Sequence, residues 1–399
     1  MNKDIKKIFI ALFFFALSDG VFYNFHELWM TDNGLSIQTV GTVLSLCSLL
    51  TVSTIFLCSN LIDRKKIKSF TCVLILLKSL TIFALFILNN TGLHEIIKFL
   101  IMVDYVIDVE TYACIYPMIS YISKSDKLYA VRGLVYSYAY YGGILLTSLL
   151  LGKTINNLNI TFNSYCLIGS ILMFIAFIIL TKVDIDKYNT KQESKNKNEI
   201  FFKILKKVKK DKITKNYLGY VLAGNASYYC INGMLLLFLT TSLGFSATGA
   251  SNMKLILGIL AVFIATIILE KLTLKNNYIN ISIKFVGRLI LYILAILTNS
   301  KTVFLITIIF VRILAESYTH ITDAPYINRF SSDEQLAFCN LKEMVNYLSR
   351  AIGNLLCGIA ITLGAKYNFI FALIFIIVQL VFAFNALYLY NQEKGVKKV

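Results

Sequence analysis

The sequence predicts an all-α membrane protein of twelve transmembrane helices, arranged as two pseudo-symmetric six-helix bundles. Three observations predict it. The first is composition: 57% of the 399 residues are hydrophobic and only 15% are charged, against about 25% charged in a soluble domain, and the mean hydropathy is +0.69. The second is spacing: the apolar residues fall into blocks of about 20, the length a helix needs to cross about 30 Å of hydrocarbon. The third is repetition: polar residues set inside the first six blocks recur in order inside the last six.

The blocks place spans at about 8–30, 39–61, 70–88, 96–122, 131–151 and 162–181, then 217–240, 252–270, 279–297, 302–322, 337–363 and 368–390. The first follows "MNKDIKK". It is too long for a signal peptide and lacks a small-residue cleavage site, so it reads as the first span. Span one carries Asp19, Tyr23 and His26, span three Lys78, and span four the acids Asp104, Asp108 and Glu110. Span five is rich in tyrosine (136, 138, 140, 141); at the density of tyrosine in this chain, packing is the plain reading and ring stacking on a ligand the sharper one. Residues 182–215 break the pattern with a lysine-dense polar stretch. It separates an N-terminal half, 1–181, from a C-terminal half, 216–399. Within it Phe201, Ile204, Leu205 and Val208 share one helical face opposite lysines, which predicts a short amphipathic helix on the membrane surface. Span nine carries Arg288, and span ten Arg312 and Glu316 at i, i+4.

Charge sets the expected orientation. Arg64, Lys65, Lys66 and Lys68 follow span two, Lys124 and Lys127 follow span four, and Lys394, Lys397 and Lys398 end the sequence. The loop "TDNGLSIQ" after span one has neither Lys nor Arg. The positive-inside rule then puts both termini and the lysine-rich linker in the cytoplasm. The net charge of +17 is thereby a topology signal. Nucleic-acid binding is the competing reading and is not expected, because the lysines are scattered over loops and no folded basic domain carries them. The eight cysteines lie almost all within spans, without metal-type spacing, and read as packing residues. No nucleophile elbow, phosphate loop or metal cluster is present in the sequence, so neither an enzyme nor a cofactor is expected.

The repeat is specific. Glu110-Thr111-Tyr112 in span four returns as Glu316-Ser317-Tyr318 in span ten, 206 residues on. The chain's two prolines, Pro117 and Pro325, follow these triplets, and Ser-Asp pairs (125–126 and 332–333) open spans five and eleven. Asp19, Tyr23 and His26 match Asn225, Tyr229 and Asn232 in span seven at the same spacing, and Lys78 is matched by Arg288. Two homologous halves in parallel order are the arrangement of one large class of transporters.

The loop after span two reads "SNLIDRKKIKSF". It resembles the signature Gly-x-Leu-x-Asp-Arg-x-Gly-Arg-Lys of the major facilitator superfamily (MFS). Leu61, Asp63, Arg64 and Lys68 match; Ser59, Lys66 and Ile67 depart from it. The resemblance implies that Asp63 and Arg64 latch cytoplasmic helix ends and bias the inward–outward equilibrium; enforcing topology is the simpler role for the basic residues, and the two are compatible. It also implies that spans one, four, seven and ten line a central cavity. "DRKKI" and "SSDEQLAFCN" (331–340) resemble macrolide-efflux-type members of that family.

A carboxylate at mid-bilayer costs roughly 2.5–3.5 kcal/mol even on lenient scales, so it must face a cavity or a partner. At 100° per residue Asp104 and Asp108 share a face of span four, and Glu110 lies about 200° from Asp108. The pairs expected are therefore Lys78 with Glu110 and, by the repeat, Arg288 with Glu316. Asp104, Asp108, Asp19, Tyr23, His26, Asn225, Tyr229, Asn232 and Arg312 are left as cavity or proton-coupling candidates. A structural hydrogen-bonding role is the plainer alternative for Asp19. Together with the resemblance, these residues lead to the expectation of a monomeric, proton-coupled secondary transporter in a bacterial cytoplasmic membrane. Its partners are a small organic solute, protons and the lipid bilayer. Export is the expected direction, with uptake of a nutrient and a non-transporting sensor or scaffold as alternatives. A cysteine placed at Asn33 is expected to react with an impermeant maleimide in intact cells, and one at Ser194 only after permeabilisation. The reverse labelling pattern overturns the orientation.

Overall fold

A computed structural model describes residues 2–61, 67–122, 126–155, 158–184, 197–264, 277–316, 324–327, 329–330, 332–393 and 395. Each expected span overlaps a helix; the ends expected at 265–270 and 317–322 lie outside the described residues. The first six are α1 (Lys3–Asp32), α2 (Ile37–Leu61), α3 (Ile67–Ile87), α4 (His94–Ile122), α5 (Asp126–Leu150) and α6 (Phe162–Thr181). A linker helix, α7 (Lys197–Lys210), precedes α8 (Lys212–Asn232) and the short α9 (Leu235–Leu237), which continues as a π-helical turn, Phe238–Ser242. Then come α10 (Ala247–Phe263), α11 (Asn277–Thr298), α12 (Lys301–Glu316), a single turn α13 (Ala324–Ile327), α14 (Ser332–Leu363) and α15 (Ala365–Glu393). Seven of the described helices are long and apolar enough to cross a membrane; α8 with the segment Leu235–Ser242 makes an eighth, bent by 43°. The bend falls at Gly233, where a Cβ would lie 2.3 Å from Asn354 Oδ1 and 2.5 Å from the Tyr229 carbonyl, so no side chain fits there. Between α5 and α6 the loop forms a two-stranded hairpin, β1 (Thr154–Ile155) and β2 (Leu158–Asn159), with Thr154 opposite Asn159.

The chain divides into two compact units. The first comprises Met1–Val43, Ser53–Glu193 and Phe245–Leu255. In it α1 packs on α4, α5 and α6, and α3 packs on α4 and α6. The helix faces follow burial. On α3, Thr71, Ile75, Lys78, Ile82 and Leu85 point inward, while Val73, Leu77, Leu80 and Ile87 form an exposed apolar stripe, as expected of a helix with one face to protein and one to lipid. Without a hydrophobic force between helices in lipid, close packing and hydrogen bonds hold them. Ser79 and Ser170 exchange hydroxyl-to-carbonyl bonds, each 2.9 Å, between α3 and α6. Ser18 donates to the Gly169 carbonyl at 2.8 Å between α1 and α6. The α1–α5 crossing rests on two glycines: a Cβ on Gly143 would lie 2.6 Å from the Leu17 carbonyl, and one on Gly20 2.1 Å from the Tyr140 carbonyl.

The second unit comprises Leu44–Val52, Ser194–Gly244 and Ile256–Val399. Here α8 packs on α14 and α15, and α11 on α12 and α15. The small-residue contact of the first unit returns: a Cβ on Gly353 of α14 would lie 2.4 Å from Tyr229 Cβ and 3.0 Å from the Ala226 carbonyl of α8. The same element pair in each half is thus brought together by the same steric device.

The linker helix α7 is helical and amphipathic, as the spacing predicts, but its apolar face is not turned to lipid. Phe201, Ile204 and Val208 are 4%, 0% and 8% exposed, because the helix packs on α8 and α14. Protein supplies the apolar cover that the membrane surface was expected to supply. Asp211 alone joins α7 to α8, and its side chain caps α8 by accepting from the Ile213 N–H at 3.0 Å. Partial burial pushes the Asp211 carboxyl up, but the Thr214 hydroxyl, Arg329 and two backbone N–H groups outweigh it and hold it below the usual carboxylate range.

The glycine crossing makes a paired prediction. Gly143→Ala is expected to lower stability by about 1–3 kcal/mol through overpacking. Gly142→Ala, whose Cβ would meet only Leu17 Cδ1 at 3.8 Å, is expected to be neutral or slightly stabilising. Thermal unfolding of the purified variants separates the two; equal loss at both positions removes the steric account.

Candidate functional site

The site is built on α1, α3, α4 and α5 of the first unit. The inward stripe of α3 delivers Lys78, which is fully buried. An ammonium so placed needs anions and polarisable faces around it. Its Nζ donates to Asp19 Oδ1 at 2.6 Å and pairs with Asp108 Oδ1. The Phe15 and Tyr23 rings each lie 4.9 Å from Nζ, within cation–π range. Lys78 and Asp19 have no exposed side-chain surface, whereas Asp108 is 18% exposed, so Asp108 is the edge of the cluster that meets the surroundings.

Hydroxyl donors reach two further acid oxygens. Tyr136 of α5 donates to Asp19 Oδ2 at 3.2 Å, and Tyr23 donates to Asp104 Oδ2 at 2.6 Å. Asp104 is itself buried, at 1% exposure, and its Oδ1 has no hydrogen-bond partner among the described residues. One ammonium therefore faces three carboxyl groups. The helical period explains the assembly: Asp19 and Tyr23 at i, i+4 share a face of α1, Asp104 and Asp108 at i, i+4 share a face of α4, and both faces meet Lys78.

The ion pair expected between Lys78 and Glu110 is corrected by this geometry. Lys78 reaches Asp19 and Asp108 instead, because the inner face of α4 at that level presents Asp108, and Glu110 lies far round the helix from it. Glu110 is also buried, at 4% exposure. His26, the third member of the α1 stripe, turns back on its own helix, with Nδ1 2.8 Å from the Tyr23 carbonyl. Between Tyr23 and His26 in sequence, Asn24 donates from Nδ2 to Thr147 Oγ1 at 2.8 Å and to Ser251 Oγ at 2.7 Å, a buried neutral cluster.

Among the described residues, the counterparts in the second unit do not rebuild the ion cluster. Arg288, the match of Lys78, is 2% exposed and donates to Gln379 Oε1 at 3.2 Å and Ser227 Oγ at 3.5 Å. Its expected partner Glu316 ends α12, and that side chain lies outside the described residues, so the Arg288–Glu316 and Arg312–Glu316 pairs fall there too. Asn225 donates to Asn346 Oδ1 at 2.5 Å. Tyr229 lies under the Arg350 guanidinium at 5.1 Å, and Asn232 bonds the Tyr228 carbonyl of its own helix at 3.2 Å. Asp63 and Arg64 lie outside the described residues; Lys68 opens α3, partly exposed.

Tyr136, Phe15, Ser227 and Gln379 are the participants that spacing alone did not single out. Tyr136 reads in sequence as one tyrosine among several. Gln379 had a signal: it is an amide inside a span with few other polar residues, where an unpaired amide is costly.

The family model described as Major Facilitator Superfamily matches residues 8–340. The chain belongs to the major facilitator superfamily. It is accordingly a membrane transporter by family, not an enzyme. Solved structures of this fold align along its length. The nucleoside transporter NupG has 14% identity and a TM-score of 0.68, with 98% of this chain and 99% of that one covered. A bacterial homolog of the human lysosomal transporter Spinster, inward-facing and unoccupied, has 14% identity and a TM-score of 0.68, covering 100% and 99%. A POT family transporter in complex with 5-aminolevulinic acid has 12% identity and a TM-score of 0.67, covering 98% and 96%. At such identities these likenesses show the fold alone. No curated protein is a significant match to this facilitator.

Removing Lys78 strands buried carboxylates, a loss of about 3–5 kcal/mol. Lys78→Met is therefore expected to lower the melting temperature sharply. Adding Asp19→Asn and Asp108→Asn is expected to recover much of that loss, whereas adding Glu110→Gln recovers none. Recovery by Glu110→Gln alone would restore the pairing read from the sequence.

Proposed function

We propose that this facilitator is a secondary active transporter that exports a small organic solute from the bacterial cytoplasm by alternating access, driven by inward proton movement. The observation that supports the reading is the buried imbalance of one ammonium, Lys78, against three carboxyl groups, Asp19, Asp104 and Asp108. Excess negative charge buried in a membrane protein is costly, and protons are the smallest species that can neutralise it. Asp108, the exposed edge of the cluster, is the carrier in this reading: it takes a proton when water reaches it from one side and releases it when access switches. Lys78 then has two alternative anions, Asp19 and Asp108, and a change at one alters its hold on the other. Export as the direction rests on the resemblance of the loops at 63–67 and 331–340 to efflux-type members.

The test begins with a metabolite and drug panel screened for thermal stabilisation of the purified protein. Stabilising solutes are then offered to proteoliposomes that carry a pH-sensitive dye. Wild-type protein is expected to concentrate the solute against its gradient under an imposed pH difference, with counter-movement of protons. Asp108→Asn, a mimic of the protonated form, is expected to bind the solute and exchange it downhill while losing accumulation. If Asp108→Asn accumulates solute at the wild-type rate, the coupling role belongs elsewhere. If a sodium gradient alone drives wild-type accumulation, the coupling ion is wrong.

A further inference from the structure

We propose that the outer flank of α7 is a binding face for the headgroups of anionic phospholipids. The helix is held at a defined depth. At one end Asp211 alone connects it to α8, a membrane-crossing helix. On its side, Lys203 and Lys207 pair with Glu334 at 3.5 Å and 3.0 Å, and Glu334 stands just before the apolar stretch Ala337–Leu363 of α14. Both anchors sit where a span begins, so α7 lies at the level of the lipid headgroups.

Its lysines divide into two groups around the helix. At 100° per residue, Lys203 and Lys207 fall on the flank that Glu334 occupies, Phe202, Lys206 and Lys209 fall on the other, and Lys210 lies between the two, opposite the buried face. Lys206, Lys209 and Lys210 are exposed and have no ion pair among the described residues. Phe202 stands among them, 51% exposed. Exposed Lys212 and Lys215 continue the basic face into the first turns of α8.

Orientation of the chain by positive charge requires lysines on this side, but it does not require them on a rigid helix around an aromatic ring. Because Phe201, Ile204 and Val208 are already buried in protein, the helix does not need lipid to cover its apolar face. What remains outward is a preorganised cluster of ammonium groups with one ring. Basic clusters beside a membrane-crossing helix recognise acidic headgroups, and an aromatic side chain suits the headgroup–acyl boundary.

The test uses the full chain in nanodiscs of phosphatidylcholine with or without phosphatidylglycerol. Phe202→Trp places a reporter in the cluster; wild-type protein, whose single tryptophan Trp29 is buried, supplies the background. Brominated phosphatidylglycerol is expected to quench the reporter more than brominated phosphatidylcholine at equal mole fraction. The preference corresponds to about five-fold enrichment per engaged lysine. It should fall in Lys206→Gln/Lys209→Gln/Lys210→Gln and with added salt, while the melting temperature stays unchanged because these side chains are exposed and make no ion pair among the described residues. Equal quenching by the two lipids overturns the proposal, as does a preference that survives the triple substitution. Loss of the preference on adding inorganic phosphate at constant ionic strength marks a soluble-anion site and overturns it as well.

Discussion

A charge inside an apolar bundle must be balanced by its immediate neighbours, and the first unit is organised around that constraint at Lys78. The ammonium is fully buried, with Asp19 and Asp108 as its counter-ions and the Phe15 and Tyr23 rings at 4.9 Å. Four helices must hold their register for this to persist. The glycine contact between α1 and α5 and the serine exchange between α3 and α6 set two of those registers. Packing and electrostatics are therefore not separable here: a shift of α1 along α5 would move Asp19 away from Lys78 and Tyr136 together.

The repeat preserves geometry more closely than chemistry. Gly143 and Gly353 occupy equivalent crossings, and each is hemmed in by the backbone of the first helix of its half. At the polar positions the two halves part. Asp19 becomes Asn225, and Lys78 becomes Arg288, whose recorded partners are the neutral Gln379 and Ser227. A guanidinium can be satisfied by carbonyl and hydroxyl acceptors through its several donors, whereas a compact ammonium draws carboxylates. Among the described residues, the ion cluster lies in the first unit, on a glycine crossing that recurs in the second.

The linker helix illustrates how far an amphipathic pattern reaches. Spacing of Phe201, Ile204 and Val208 requires an apolar surface against one face of α7, and lipid and protein are equally apolar covers. The structure supplies protein, through α8 and α14, and fastens the helix with Glu334. That leaves the lysine flank, rather than the apolar face, turned outward.

Span positions, the internal repeat and the presence of acids in α4 were legible because they depend on local quantities: apolar length, helical period and the cost of charge in lipid. Family membership was legible too, from the loop after α2 and the two-half organisation. The partner of Lys78 was not. Periodicity correctly divided Asp104 and Asp108 from Glu110, but the rotation of α4 about its own axis relative to α3 is set by packing, and that rotation turned Asp108 to the lysine. Tyr136 stayed hidden for the same reason: one tyrosine among several in a span acquires a role only when the α1–α5 crossing brings it to Asp19. Sequence by itself determined which residues had to be neutralised; tertiary packing decided by whom, because side-chain partners across helices depend on crossing and rotation that no local pattern encodes.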